Sequence, residues 1–246
     1  MKPYSPPQSG TETTLNTFKV YIGPIFAGAL ATVTIALCYF ISVNNGTTGA
    51  WPKTDITHSA RYPPAEYIFR IGIPVAMVIL QQVWWVMWSW IHAESVRLGV
   101  STGTENAFFI LGVVGANLLI VASVLIQPGD MDWTLHTIGA TGFFLCTFLA
   151  QLMATFKLKH LRKHDNTVTT DMSMRLKKHS VGYIFFVLLI DGLSGLGYFP
   201  FWPYLGNILE YTLTLLVLIW FISCSLDFKD RLVLNLVLKA PAQSTV

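Results

Sequence analysis

The chain has 246 residues, of which 53% are hydrophobic and only 12% charged, with a net charge of +3 and a mean hydropathy of +0.53. Such a composition leaves no stretch for a soluble domain and no basic surface for a nucleic-acid partner. Three cysteines, Cys38, Cys146 and Cys224, fall inside apolar stretches, too few and too deep for a disulfide framework.

Residues 1–19 are polar, rich in Ser, Thr and Pro, and read as a cytoplasmic N-terminal tail. Six apolar stretches follow, at 20–43, 67–91, 106–127, 134–156, 180–199 and 205–226. The first is longer than the apolar part of a signal peptide and is expected to be retained. Each has about the ~20 residues that a ~30 Å hydrocarbon core requires at ~1.5 Å per residue. None shows the period-two alternation of a barrel strand, so helices are expected. The predicted fold is therefore all-α: a polytopic membrane protein with six transmembrane helices in one bundle over 20–226, ending in a cytoplasmic tail at 227–246.

Orientation follows from the basic residues, because Lys and Arg in short connectors are retained on the cytoplasmic side. Thirteen fall in the tails and even-numbered connectors: Lys2, Lys19, Arg97, Lys157, Lys159, Arg162, Lys163, Arg175, Lys177, Lys178, Lys229, Arg231 and Lys239. Only Lys53, Arg61 and Arg70 fall on the other side. Both termini are thus expected in the cytoplasm, the connector 44–66 in the lumen, and the basic connector 157–179 in the cytoplasm. The lumenal connector carries a glycosylation sequon at Asn45-Gly46-Thr47. The basic connector suits anionic headgroups or, with the C-terminal tail, a cytosolic protein partner; the alternative is that its charges only enforce topology.

Polar groups collect in the lumenal half. Asp191 lies eight residues before Phe199 and Glu210 six after Tyr204, which puts them roughly 12 Å and 9 Å below the same surface. A tight turn joins their helices, so the two carboxyls are expected at similar depth, where an ionisable group costs several kcal/mol unless paired or hydrated. His136 opens the fourth stretch, Arg70 lies near the top of the second with Glu66 one turn above, and Asp55, His58 and Arg61 lie over the same region. This set supplies an acid, a base and cations. His136, Glu210 and Asp191 are the candidate catalytic groups; Arg70, Asp55, His58, Arg61 and Glu66 are the candidate substrate-binding groups. Arg70, His136 and Glu210 are expected to line one lumenal-side cavity with Asp191 beside them. The plainer readings are that Arg70 pairs with Glu66 or Glu210 and that Asp191 is a protonated helix-helix hydrogen-bond donor. No Gly-x-Ser-x-Gly, no His-Glu-x-x-His and no histidine cluster occurs, so no metal and no cofactor is expected.

Other intramembrane features read as architecture. Gly112 with Ala116, and Ala27 with Ala31, would let helices approach closely. Gln81, Gln82, Asn117 and Gln151 would bond across helices, and Trp84, Trp85, Trp88 and Trp90 would anchor at the cytoplasmic interface.

The segment Asp55-Ile-Thr-His-Ser-Ala-Arg-Tyr-Pro-Pro-Ala-Glu-Tyr-Ile-Phe69, then Leu135-His-Thr-Ile-Gly-Ala140, Glu210-Tyr211 and Asp227-Phe228 occur in that order. Together they resemble the Frag/DRAM/Sfk family of six-span proteins. That family includes the GPI-remodelling Frag-type factor, the damage-regulated autophagy modulators and Sfk-type regulators of phosphatidylinositol 4-kinase. Ile208-Leu-Glu-Tyr-Thr212 looks like the first branch; Pro63-Pro64 and Leu135-His-x-x-Gly-Ala look like the others. The resemblance implies work on membrane lipids. One reading is reacylation of lyso-GPI in the Golgi or ER, with Arg70 holding an anionic group while His136 and Glu210 move protons. The other is a non-enzymatic adaptor, at the plasma membrane or lysosome, that recruits a phosphoinositide kinase or autophagy partner or serves as an accessory subunit. A transporter is disfavoured, since no stretch shows a broken centre or repeated pore motif.

Overall fold

The computed structural model describes residues 14–126, 130–199, 202–229 and 233–237. Most of both tails and the turn at 200–201 lie outside the described residues. Long apolar segments without interior breaks form α1 (Ile22–Asn44), α3 (Ala65–Arg97), α4 (Gly103–Val124), α5 (Asp130–His164), α6 (Asp171–Gly195) and α7 (Leu205–Phe228). A four-residue helix, α2 (Ile56–Ser59), lies in the connector after α1. Five of the six long helices are long and apolar enough to cross a membrane, and α6 is the exception. The α6 helix nevertheless runs the length of the bundle. Its helix neighbours α5 and α7 meet it at opposite ends of the bundle, and its 25 residues extend roughly 37 Å at the helical rise. The bundle is therefore a six-helix one whose helices alternate in direction.

The basic segment 157–179 is mostly helix: α5 runs on to His164 and α6 begins at Asp171, where Thr170 caps it by accepting from the Ser173 backbone N–H. At the same end, strand β1 (Thr14–Lys19) pairs antiparallel with strand β2 (Val233–Val237), matching Lys19 with Val233 and Thr17 with Asn235. This ribbon ties both tails to one end of the bundle, as the charge asymmetry requires. We call it the tail end, and the opposite one the loop end.

The outside of the bundle is as apolar as the inside. Phe40, Ile71, Ile138, Phe186 and Leu215 are all exposed, an arrangement that suits a hydrocarbon solvent and not water. Inside, packing relies on small residues, since lipid gives helices no hydrophobic reason to associate. A Cβ on Gly112 would fall within the indole of Trp84, and one on Gly139 would come 2.8 Å from the Leu118 carbonyl. Gln81 donates to Asn117 across α3 and α4 at 3.4 Å. Ala27 and Ala31 are buried in the core and line an internal void. Of the four tryptophans expected as interface anchors, Trp84 and Trp90 are buried. The helical period turns them inward, and Trp84 meets Trp220 and Phe221 at ring separations of 5.6 and 5.1 Å across the middle of the bundle.

Two buried ion pairs stabilise the tail end. Lys177 Nζ donates to Asp227 at 2.8 Å, to Ser173 Oγ at 2.6 Å and to Ser223 Oγ at 2.9 Å, which uses all three ammonium hydrogens. Asp227 also accepts from Thr169 Oγ1 at 2.7 Å. Lys157 pairs with Glu105 at 3.0 Å and donates to the Ser101 carbonyl, while Ser95 donates to the same carboxylate at 2.5 Å. Arg162 pairs with Asp171, and Arg97 bridges Glu94 and Asp165. A good share of the basic cluster therefore joins helices to each other, while Lys159, Lys163, Arg175 and Lys178 remain exposed.

Removing one member of a fully buried pair leaves an uncompensated charge, at a cost of about 3–5 kcal/mol. Lys177→Met should lower thermal stability in detergent by that order. Lys177→Met combined with Asp227→Leu should recover most of it, because both charges are then gone. Equal loss in the single and double variants would show that the pair does not lock α6 to α7.

Candidate functional site

The connector 44–64 folds back over the mouth of the bundle. Its first turn returns to α1, with the Thr47 backbone N–H and hydroxyl both donating to the Ser42 carbonyl at 3.0 Å. Asn45, the sequon residue, is exposed just past the end of α1. The Trp51 N–H then donates to Tyr39 Oη at 2.9 Å, and Asn207 Nδ2 of α7 donates to the Pro52 carbonyl at 2.9 Å. Asp55 starts α2 by accepting the His58 backbone N–H at 2.6 Å, a side-chain cap. Ser42 Oγ donates to the Ser59 carbonyl at 2.6 Å, so α1 holds the far end. Ile56, Thr57 and Ser59 are buried as a result.

Below α2 lies a cavity of about 410 Å³ among α2, α5, α6 and α7, lined by Asp55, Thr57, Trp133, His136, Asp191 and Glu210 among others. Each polar member has a distinct geometry. His136 Nδ1 is 2.8 Å from the Ala122 carbonyl, which can only accept, so Nδ1 carries the proton. Nε2 is then an acceptor, and Thr57 Oγ1 donates to it at 3.1 Å. The Trp133 ring stacks on His136 at 5.3 Å, and the Arg61 guanidinium lies 5.2 Å from the Trp133 centroid. Glu210 accepts from the Ile56 N–H at 3.4 Å. Asp191, across the cavity on α6, is exposed.

The sequence-derived set thus divides in two. His136, Glu210, Asp191 and Asp55 line one cavity, with His58 and Arg61 above it on the Trp133 side. Arg70 and Glu66 do not line it: they pair with each other at 3.0 Å. Both lie on α3 one turn apart, and α3 contributes nothing to the cavity wall. Sequence reasoning missed Thr57 and Trp133. Each sits inside or beside a segment already singled out, but neither is ionisable, so depth and charge gave no reason to select it. Among the described residues no group of three or more His, Cys, Asp or Glu side chains is placed to hold a metal ion.

A second, apolar void of about 70 Å³ adjoins the first, sharing Thr57, His136 and Glu210 with it and lined further in by Ala27, Ala31, Ile73 and Phe143. A groove of about 390 Å³ between α1 and α7 shares Ile35, Ile56, Thr214 and Leu218 with this void. A polar chamber, an apolar void and an apolar groove therefore follow one another from the mouth to the lipid-facing side.

Comparison with known proteins places this architecture. The family described as Frag1/DRAM/Sfk1/Cwh43P N-terminal domain matches residues 19–231. The chain belongs to this family. No curated protein and no solved structure matches it. The Frag1/DRAM/Sfk1 match begins at the last residue of β1 and runs past the end of α7, so it takes in the whole bundle and every residue of the cavity. The chain is an integral membrane protein of this family.

Above the cavity, His58 Nδ1 and Asp55 Oδ2 lie 2.7 Å apart. That hydrogen bond outweighs burial and raises the His58 pKa above its ordinary 6.5. Burial pushes Asp55 up, but the hydrogen bonds from the His58 ring and backbone N–H prevail and hold it below 3.8. The His58 contribution is fully present below pH 6.5 and fades as pH rises through its raised value. The Asp55 contribution is present above pH 3.8 and fades as pH falls through its lowered value. Hydrogen exchange across 55–61, corrected for the intrinsic rate, should be slowest between those limits and speed up on the alkaline side. His58→Asn should remove the alkaline limb; an unchanged profile would show that the pair does not hold α2 in place.

Proposed function

We propose that this protein reacylates lyso-GPI anchors in the lumenal leaflet of an endomembrane, Golgi or ER. The observation that supports this reading is the convergence of His136, Asp55, Glu210 and Asp191 on one chamber at the loop end, next to an apolar void and groove. Acyl transfer to a lysolipid hydroxyl needs a base for that proton and an apolar place for the chain. The His136 tautomer leaves Nε2 as the only ring nitrogen able to take a proton, and it faces the chamber. Trp133 and the Ala122 carbonyl fix the plane of the ring. Arg61, over Trp133 at the rim, is the better-placed cation for the anionic GPI headgroup; Arg70 is engaged with Glu66.

His136→Ala and Glu210→Gln should each abolish remodelling while protein abundance stays within about twofold of wild type, as expected for groups acting on substrate. Mass spectrometry of GPI anchors from cells carrying each variant provides the readout, with lyso-GPI accumulating. Loss of abundance in step with activity would reduce both residues to structural members.

A second reading, the non-enzymatic adaptor, draws on the exposed cations of the basic segment 157–179, namely Lys159, Lys163, Arg175 and Lys178. Lys159, Lys163 and Lys178 are free to meet anionic phosphoinositides or a cytosolic partner there, whereas Lys157 and Lys177 are buried. Under this reading Lys159→Gln, Lys163→Gln and Lys178→Gln together lower binding to phosphoinositide-containing vesicles at low salt and lower plasma-membrane phosphatidylinositol 4-phosphate, with GPI anchors unchanged. Unaltered vesicle binding would leave these lysines with topology alone.

A further inference from the structure

We infer that Thr57 is the nucleophile of this site, carrying the acyl group as an ester on Oγ1 between donor and acceptor; the inference rests on the remodelling reading above. The geometry singles out this hydroxyl. Ser42, Ser59 and Ser123, which surround the same region, all donate to backbone carbonyls. Thr57 instead donates to an imidazole nitrogen whose other face is locked by a carbonyl. A hydroxyl directed at a base, with the base oriented by a third group, is the arrangement that turns a weak oxygen nucleophile into an effective one. Its place in the molecule fits the same role. Thr57 lines both the polar chamber and the apolar void, so an acyl carbonyl at its Oγ1 has the chain on the apolar side and the acceptor on the polar side.

The two half-reactions balance without a redox partner. In the first, Oγ1 attacks the carbonyl carbon of an O-acyl glycerolipid that enters from the bilayer by the groove between α1 and α7. His136 Nε2 takes the Thr57 proton, the ester bond to the glycerol oxygen breaks, and that oxygen leaves with the proton as a lysolipid hydroxyl. In the second, the hydroxyl of the lyso-GPI acceptor gives its proton to Nε2 and attacks the Thr57 ester. The bond to Oγ1 breaks, and Oγ1 recovers its proton. One ester is exchanged for another. The donor is thus a membrane glycerolipid, and the reaction is a transacylation.

The test uses the full chain in proteoliposomes of phosphatidylcholine bearing an alkyne-tagged acyl chain, with no lysolipid acceptor added so that the ester accumulates. The wild type and Thr57→Ser should acquire the tag on a peptide spanning 55–61. Thr57→Val, close to isosteric, and His136→Ala should lose at least about tenfold of it at equal protein abundance. Thr57→Cys should take the tag as a thioester that neutral hydroxylamine removes, while the wild-type ester resists it. Labelling of Thr57→Val at the wild-type level, or no label on the wild type, overturns the nucleophile. If in addition Thr57→Val restores normal GPI anchors to cells lacking the protein, remodelling stands with His136 acting directly on the acceptor. If cells lacking the protein have normal anchors from the start, the remodelling reading itself fails.

Discussion

The rest of the loop end depends on one constraint: backbone that is not part of a spanning helix can sit at membrane depth only where protein surrounds it. The four residues of α2 meet that constraint because α1 and α7 grip the connector on either side, through Ser42, Tyr39 and Asn207. Asp55 and Glu210 accept the first backbone donors of α2. Once the connector is seated, Thr57 is brought under the mouth and against His136. A carboxylate that in sequence looks like a proton carrier is therefore also a ligand for the backbone, and the chamber exists because the connector forms its roof.

The two ends of the bundle use charge in opposite ways. At the tail end each buried cation meets a carboxylate, Lys157 adding a backbone carbonyl and Lys177 two hydroxyls, and Lys177 with Asp227 has no hydrogen-bonding capacity left over for a ligand. At the loop end, Asp55, Asp191 and Glu210 are three carboxylates around one chamber, and the arginines lie on or outside its rim. Buried ion pairs join helices. The chamber instead holds carboxylates and an imidazole with no cation among its lining residues.

Much of this was legible in the sequence, for identifiable reasons. A polytopic helical bundle with both tails at one end follows from the bilayer's own demands, a run of apolar residues and an asymmetry of Lys and Arg, and both are local properties of the chain. The depth of Glu210 and Asp191 followed from counting residues along a helix of fixed rise. What was not legible depends on rotation about the helix axis. Depth alone cannot tell whether Arg70 faces α7 or its own neighbour Glu66, nor that Trp84 turns into the core while Trp85 turns out. Lys157 and Lys177 looked like loop charges because their partners, Glu105 and Asp227, lie 52 and 50 positions away. Thr57 was hidden for a different reason: a hydroxyl becomes chemically notable only once its neighbour is known.

The aromatic layer across the middle of the bundle has an electrical consequence. Trp84, Phe108, Trp220 and Phe221 are fully buried and pack against one another directly beneath the apolar void. They form a septum that separates the chamber from the Lys177–Asp227 cluster. Under the remodelling reading, a proton taken from a hydroxyl by His136 returns to the leaflet it came from, and no charge crosses the dielectric. On that reading the chemistry is uncoupled from membrane voltage, which acts on a charge moved across the membrane with about 2.3 kcal/mol per 100 mV.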